Sequence, residues 1–160
     1  MDTARYVVAV LAVLGMPCIC IFWLLVHPLA NCWRRIKSRL TYGILLGLFV
    51  ALIFILHSVR QSLIRTDYGF QPILAVVGLI FYVAAVVIFF KRRRYLTNKI
   101  MIGYPEVAKE AYPGRLLTEG IYGKIRHPRY VEIQLGYIGY AFFSNFLGAY
   151  VLTSLLIPAI

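Results

Sequence analysis

Three long apolar segments without a charged residue dominate the chain: Tyr6–Val26, Leu40–Leu56 and Pro72–Phe90. A helix needs about 17–25 apolar residues to cross the roughly 30 Å hydrocarbon core of a bilayer. Each segment is long enough, the second only narrowly. The composition agrees, because 61% of the residues are hydrophobic and 14% are charged, whereas soluble domains have about 45–50% and about 25%. These features exclude a soluble domain and a disordered chain, and they predict an all-α integral membrane protein with three transmembrane helices.

A fourth apolar stretch, residues 131–160, is too long for one straight transmembrane helix, which would measure about 45 Å. Ser144, Asn145 and Gly148 lie in its middle and favour a reversal of the chain. The sequence therefore predicts a C-terminal helical hairpin, and residues 1–160 form a single membrane domain. The second arm of the hairpin has no charged flank, which we expect of a truncation inside a helix or of a fragment of a longer product.

The positive charges are distributed unevenly between the two predicted membrane faces. The net charge is +11, and cytoplasmic loops carry an excess of Lys and Arg. One face carries Arg34, Arg35, Lys37, Arg39, Lys91, Arg92, Arg93, Arg94, Lys99, Lys109, Arg115, Lys124, Arg126 and Arg129, and the other carries Arg5, Arg60 and Arg65. This bias predicts that the N-terminus lies outside and that the long connecting segment, residues 91–130, faces the cytosol.

Several other features have structural interpretations. The block Lys91–Arg94 directly follows a predicted span, which is typical of an orientation anchor that contacts anionic lipid headgroups. Nucleic acid is not an expected partner, because no aromatic and basic stacking platform accompanies the block. Gly43 and Gly47 form a small-xxx-small pair that predicts helix packing. The three cysteines form no CxxC pair and have no histidine cluster near them, so the sequence predicts no metal site.

The connecting segment is too long for a simple loop, since loops beyond about 12–15 residues usually carry function or are disordered. Its apolar residues argue against disorder. Turns at Tyr104-Pro105 and Tyr112-Pro113-Gly114 bracket a predicted short helix, Glu106–Ala111. Towards its end, Pro128 suits the first turn of the next helix, and a helix N-terminus favours anions. Arginine, imidazole and phenol groups of Arg126, His127 and Tyr130 are thus expected to meet at the membrane face.

Glu132 lies just inside the fourth apolar stretch. An acidic residue within a membrane segment is costly and is a functional candidate for that reason. Its structural alternative is a salt bridge to Arg126 or Arg129.

The run Gly120-x-Tyr122-x-x-x-Arg126-His127-Pro128-x-Tyr130, preceded by Leu116-Leu117-Thr118, resembles the signature of integral-membrane methyltransferases. These form the isoprenylcysteine carboxyl methyltransferase and phospholipid methyltransferase superfamily. The resemblance covers roughly residues 116–148, and the earlier spans agree only in number and hydropathy.

The resemblance implies a helical bundle that binds S-adenosylmethionine at the cytosolic face and methylates a lipophilic acceptor, such as a prenylcysteine carboxylate or a phospholipid amine. Residues carried over as cofactor-binding are Leu116, Leu117, Tyr122, Arg126, His127, Pro128 and Tyr130. The arginine and the helix start suit the methionine carboxylate, and the aromatic rings suit the adenine and the sulfonium. Arg126 and Glu132 are the expected catalytic residues, and Glu132 or His127 is the candidate base for an amine or alcohol acceptor.

The sequence departs from the family at two points. It ends before the paired Glu-Glu that the family usually carries, and Glu132 stands where the family commonly has a small residue. Some membrane reductases of sterol or enone lipids have a related Arg-His-Pro-x-Tyr run with an acidic residue soon after it. A reductase that uses NADPH is therefore the alternative enzyme, and a non-catalytic scaffold or fragment is the third possibility.

Overall fold

The computed structural model describes residues 2–36, 38–97, 100, 102–107 and 117–156. Within these residues the secondary structure is helical, and the extended pairing is limited to one isolated bridge between Asp67 and Phe146. The helices are α1 (Thr3–Val26), α2 (Ala30–Trp33), α3 (Ser38–Leu63), α4 (Pro72–Arg93), α5 (Tyr104–Val107), a 3₁₀ turn (Gly120–Gly123), α6 (Pro128–Ser144) and α7 (Leu147–Leu156).

Helices α1, α3 and α4 are long and apolar enough to cross a membrane. The three predicted spans are therefore confirmed as helices, and they support the assignment as a membrane protein. Helix α3 continues past the predicted end at Leu56 to Leu63. It does so because the polar residues that follow the apolar run are compatible with a helix: Ser58 donates a hydrogen bond back to the Phe54 carbonyl, at 2.8 Å.

Local chemistry fixes where several helices begin and end. The Asp2 side chain caps α1 by accepting a hydrogen bond from the Ala4 N–H at 3.0 Å. Pro72 and Pro128 are the first residues of α4 and α6, where a missing N–H costs nothing. The predicted helix Glu106–Ala111 begins earlier, at Tyr104, and residues 108–111 lie outside the described residues.

Helices α4 and α6 pack closely at two glycines. A Cβ atom on Gly78 would lie 2.7 Å from the Gly139 carbonyl oxygen, and a Cβ atom on Gly139 would lie 2.8 Å from that of Gly78. Small residues allow such close approach of membrane helices. The packing predicted for Gly43 and Gly47 is wrong within the described part of the chain, because a Cβ atom on either would meet nothing within 4 Å. Helix α3 instead turns Thr41 and Leu45 inward.

The main core joins α1 to α6 and α7. Its buried members include Ala9, Ala12, Val13 and Met16 of α1, Tyr137 and Ala141 of α6, and Phe146 and Ala149. Helix α6 ends at Ser144, and Asn145 adopts a left-handed conformation with φ of 57°. The predicted break of the fourth stretch is thus found at Asn145. That the two arms cross a bilayer as a hairpin stays a prediction, and so does the orientation of the chain.

One end of the bundle, called the Arg5 end, is held by a polar cluster. The Arg5 side chain is 3% exposed, pairs with Asp67, and donates to the Ser144 carbonyl oxygen from Nε at 3.0 Å. The Asp67 carboxylate also accepts from the Gly69 N–H at 2.8 Å. Partial desolvation raises the pKa of Asp67, but the hydrogen bonds from Arg5 and Gly69 outweigh it and hold that pKa below its ordinary value. The cluster joins α1 to the α3–α4 loop and to the end of α6.

Candidate functional site

The predicted motif lies at the other end of the bundle, called the His127 end. Here α1 and α4 finish, α6 begins, and the 3₁₀ turn precedes α6. Gly120 opens the turn with φ of 58°, and any Cβ atom there would collide with the Tyr95 ring. A glycine is therefore required for the turn to sit against the end of α4. Buried Ile121 anchors the turn.

The motif side chains divide into an exposed and a partly buried group. Arg126 and His127 are exposed, whereas Tyr122 and Tyr130 are half-buried and Pro128 is buried. The His127 and Tyr130 rings stack at 5.3 Å, and Tyr130 also meets the Trp23 ring edge-on at 5.3 Å. The structure therefore brings the histidine and the second tyrosine together.

The two remaining carried-over residues are leucines that precede the 3₁₀ turn in the sequence. Leu117 is half-buried, and Leu116 lies outside the described residues.

Glu132, which is half-buried, forms an ion pair with the buried guanidinium of Arg92. The Arg92 Nε donates to Glu132 Oε2 at 2.6 Å, and the Arg92 residue is only 2% exposed. The expectation that a salt bridge of Glu132 would involve Arg126 or Arg129 is therefore wrong. The interpretation of Lys91–Arg94 as headgroup contacts is also wrong for Arg92, which turns inward because α4 packs tightly on α6. The sequence held a signal for this, since Gly78, Ala85 and Arg92 are spaced by seven residues and are the buried residues of α4.

A second arginine lies close to this pair. The Arg129 guanidinium carbon lies 4.7 Å from the centre of the Trp23 ring, a cation–π contact. Burial raises the pKa of the Tyr122 hydroxyl, and the charges of Arg92 and Arg129 oppose that increase. We call Arg92, Tyr122, Arg129 and Glu132 the charged cluster. With two guanidinium groups and one carboxylate, it carries an excess positive charge.

One donor of the charged cluster is unsatisfied. Arg92 Nη1 is buried and has no hydrogen-bond partner among the described residues. Leaving such a donor unpaired costs about 1–3 kcal/mol, and more for a charged group. An excess of positive charge with an unpaired buried donor is an arrangement that suits an anionic ligand.

An apolar cleft of about 550 Å³ lies between α1 and α3 and reaches the first turn of α6. We call it the α1–α3 cleft. Its lining is formed by Cys18, Ile19, Phe22, Trp23, Tyr42, Leu45, Leu46, Phe49, Ile102, Arg129 and Ile133. Arg129 is the only charged side chain among these lining residues. Only 6% of the residues in the most apolar part of α3 are buried. The cleft therefore opens towards the apolar surface of the bundle.

Two further cavities adjoin the His127 end. A groove of about 430 Å³ between α4 and α6 has Glu132 as its charged lining residue, with Phe89 and Tyr140 among its walls. A cavity of about 460 Å³ lies between α4 and the 3₁₀ turn and has Lys91, Arg94 and Lys124 in its lining. None of these cavities was predicted, because each depends on how distant helices pack.

Residues 102–107, which precede the motif in the sequence, are held over the α1–α3 cleft by contacts to the end of α1 and to α3. The His27 Nδ1 lies 3.5 Å from Glu106 Oε1, and the Tyr42 hydroxyl donates to the Ile102 carbonyl at 3.3 Å. His27 in turn stacks on Trp23 at 4.3 Å. This pairing was not predicted from the sequence.

Comparison of the chain with known protein families, curated proteins and solved structures gives no match. The family resemblance therefore rests on the motif residues alone.

Proposed function

We propose that the chain catalyses S-adenosylmethionine-dependent methyl transfer to a lipophilic acceptor at the His127 end. One observation carries the proposal: the α1–α3 cleft ends on Arg129, within the motif run His127–Tyr130. An apolar compartment and an exposed polar face thus meet across one helical turn. A reaction between a water-soluble cofactor and a lipid requires this kind of meeting point.

The residues at this end fit the cofactor that the resemblance implies. The unpaired Arg92 Nη1 and the excess positive charge suit a carboxylate, and the exposed guanidinium of Arg126 can reach one from the water side. The rings of Tyr122, His127 and Tyr130 can stack on adenine. When bound, the cofactor would supply a methyl group activated by its sulfonium charge. Leu116 and Leu117 keep the cofactor-binding role that the resemblance implies.

The cleft residues would hold the acceptor and keep water away. The apolar side chains of Phe22, Leu45 and Phe49 would exclude water from the cleft. An isoprenoid or acyl chain would therefore be stabilised there. Arg129 at the inner end would orient the polar part of the acceptor. Holding two reactants at near-attack distance in a water-free site is the main contribution a protein makes to such a reaction.

The ion pair gives Glu132 a positioning role in addition to its expected catalytic one. Its carboxylate fixes the Arg92 guanidinium at 2.6 Å, so the free Nη1 is held in one place. A carboxylate or thiolate acceptor needs no base. For an amine or alcohol acceptor, Glu132 or the exposed His127 would take the proton.

The positive-charge bias supports a reaction on the cytosolic side. The loops predicted at the His127 end carry most of the Lys and Arg residues of the chain. A soluble cofactor made in the cytosol would then reach Arg126 and His127 directly.

The test is transfer of a radiolabelled methyl group from S-adenosylmethionine into the lipid phase, with the full chain in native-lipid nanodiscs. We expect label in the organic extract, and a loss of at least tenfold in Tyr130→Ala. The control is His57→Ala, which removes an exposed aromatic residue of α3 outside the site. Equal loss in both variants, or none in either, would contradict the site assignment.

The same preparation separates the alternatives. Saturable binding of NADPH without binding of S-adenosylmethionine would replace this proposal with the lipid reductase. An intact thermal unfolding transition with binding of neither cofactor would support a scaffold.

A further inference from the structure

The cavity between α4 and the 3₁₀ turn has a lining that changes from apolar to cationic. Val87, Ile88 and Ile125 form its apolar part, and Lys91, Arg94 and Lys124 supply three positive charges. No acidic side chain is found among the described residues that line it. Its volume of about 460 Å³ lies within the range of about 300–1,000 Å³ that is usual for ligand sites.

The position of this cavity relates its two parts to a bilayer. Val87 and Ile88 lie within the last apolar turns of α4, and Lys91 and Arg94 follow the end of the apolar run at Phe90. The apolar part of the cavity is therefore at the depth of acyl chains, and the cations are at the depth of phosphates. Each Lys or Arg near an anionic membrane surface adds to the attraction for that surface.

We infer that this cavity is a binding site for one anionic phospholipid, with its phosphate between Lys91, Arg94 and Lys124 and an acyl chain on Val87 and Ile88. A free phosphate or a nucleotide would use only the cations, whereas a lipid also covers the apolar wall. The charge complementarity and the depth together favour the lipid. This inference does not rest on the proposed methyl transfer.

The lipid would also stabilise the motif. Lys124 directly follows the 3₁₀ turn that carries Tyr122, whereas Lys91 lies in the last turn of α4 and Arg94 directly follows that helix. A phosphate shared between them offsets the repulsion of the three cations. Occupancy therefore holds the turn, and Tyr122 with it, against α4.

The chain offers a charge-matched control for the test. Arg93 lies between Lys91 and Arg94 in the sequence but is not part of the cavity lining. Its guanidinium carbon instead lies 5.6 Å from the centre of the Phe89 ring. Arg93→Gln removes the same charge as Arg94→Gln or Lys124→Gln. All three side chains are exposed, so none of the substitutions disturbs the core.

The experiment is native mass spectrometry of the full chain titrated with phosphatidylglycerol, and separately with phosphatidylcholine. We expect the first phosphatidylglycerol to bind more tightly than phosphatidylcholine. We expect Arg94→Gln and Lys124→Gln each to weaken it roughly fivefold, which corresponds to about 1 kcal/mol. Arg93→Gln should change it less than twofold. Hydrogen exchange of residues 119–125 should slow in phosphatidylglycerol nanodiscs for wild type and Arg93→Gln, but not for Lys124→Gln.

Three results would overturn the inference. Equal weakening by all three substitutions would indicate general surface attraction, and equal affinity for the two lipids would remove the anionic preference. Displacement of the lipid by millimolar inorganic phosphate would indicate a site for free phosphate instead.

Discussion

The Arg92–Glu132 pair provides the sharpest test of the packing at the His127 end. We consider Glu132→Ala, which leaves the Arg92 guanidinium buried at 2% exposure without its carboxylate. Removing one partner of a buried ion pair costs about 3–5 kcal/mol, because the other charge stays desolvated. For a chain of this size, a change of 1 kcal/mol shifts the unfolding midpoint by about 2–4 °C. The expected loss is therefore roughly 6–20 °C.

The assay is thermal unfolding in detergent, followed by Trp fluorescence, for Glu132→Ala and the double variant Arg92→Met/Glu132→Leu. The double variant replaces the pair with apolar groups of similar size, so it should recover most of the stability lost by Glu132→Ala. Arg93→Ala, which removes an exposed arginine next in the sequence, should shift the midpoint by no more than about 2 °C. The reasoning is refuted if Glu132→Ala unfolds at the wild-type temperature, or if the double variant is less stable than Glu132→Ala.

Three further predictions concern other parts of the bundle. Gly139→Ala should destabilise the chain by about 1–3 kcal/mol, because its Cβ atom would lie 2.8 Å from a backbone oxygen of α4. Gly136→Ala should be neutral, because its Cβ atom would have its nearest contact at 3.8 Å. Thermal unfolding distinguishes the two variants. Leu46→Trp should fill the α1–α3 cleft and raise the KM for the lipid acceptor without changing cofactor affinity. Leu48→Trp, on the same helix but outside the cleft lining, should leave both the KM and the cofactor affinity unchanged. Because the folded-state pKa of Asp67 is below its ordinary value of 3.8, its ionic contribution is present above about pH 4 and is lost as the pH falls through the folded-state pKa. Asp67→Asn should therefore be less stable than wild type at pH 6, and the difference should shrink as the pH is lowered below about 4.

The sequence predicted the helical spans well, because hydropathy and charge act locally along the chain. The apolar segments 6–26, 40–56 and 72–90 all lie within helices. The end of α3 was missed by seven residues, from Leu56 to Leu63, since a helix does not have to end where its apolar run does. The break at Asn145 was predicted from residue types that favour turns.

The site was predicted less completely. The local run from Arg126 to Tyr130 predicted the start of α6, because neighbours in sequence are neighbours in space there, whereas the 3₁₀ turn was not predicted. The partner of Glu132 was missed because Arg92 lies forty residues earlier, in a block whose other members are exposed. Gly78, Ala85 and Arg92 follow one another at intervals of seven residues and so share one face of α4, which distinguishes Arg92 from the other residues of the block. The clefts require the packed arrangement of several helices, which no local pattern contains.

The central claim is that the His127 end binds S-adenosylmethionine, and isothermal calorimetry on the full chain in nanodiscs tests it most directly. The account predicts saturable binding at one site with micromolar affinity, weakened by both His127→Ala and Tyr130→Ala. Binding that neither substitution changes, or no heat of binding to a chain that unfolds cooperatively, would contradict it.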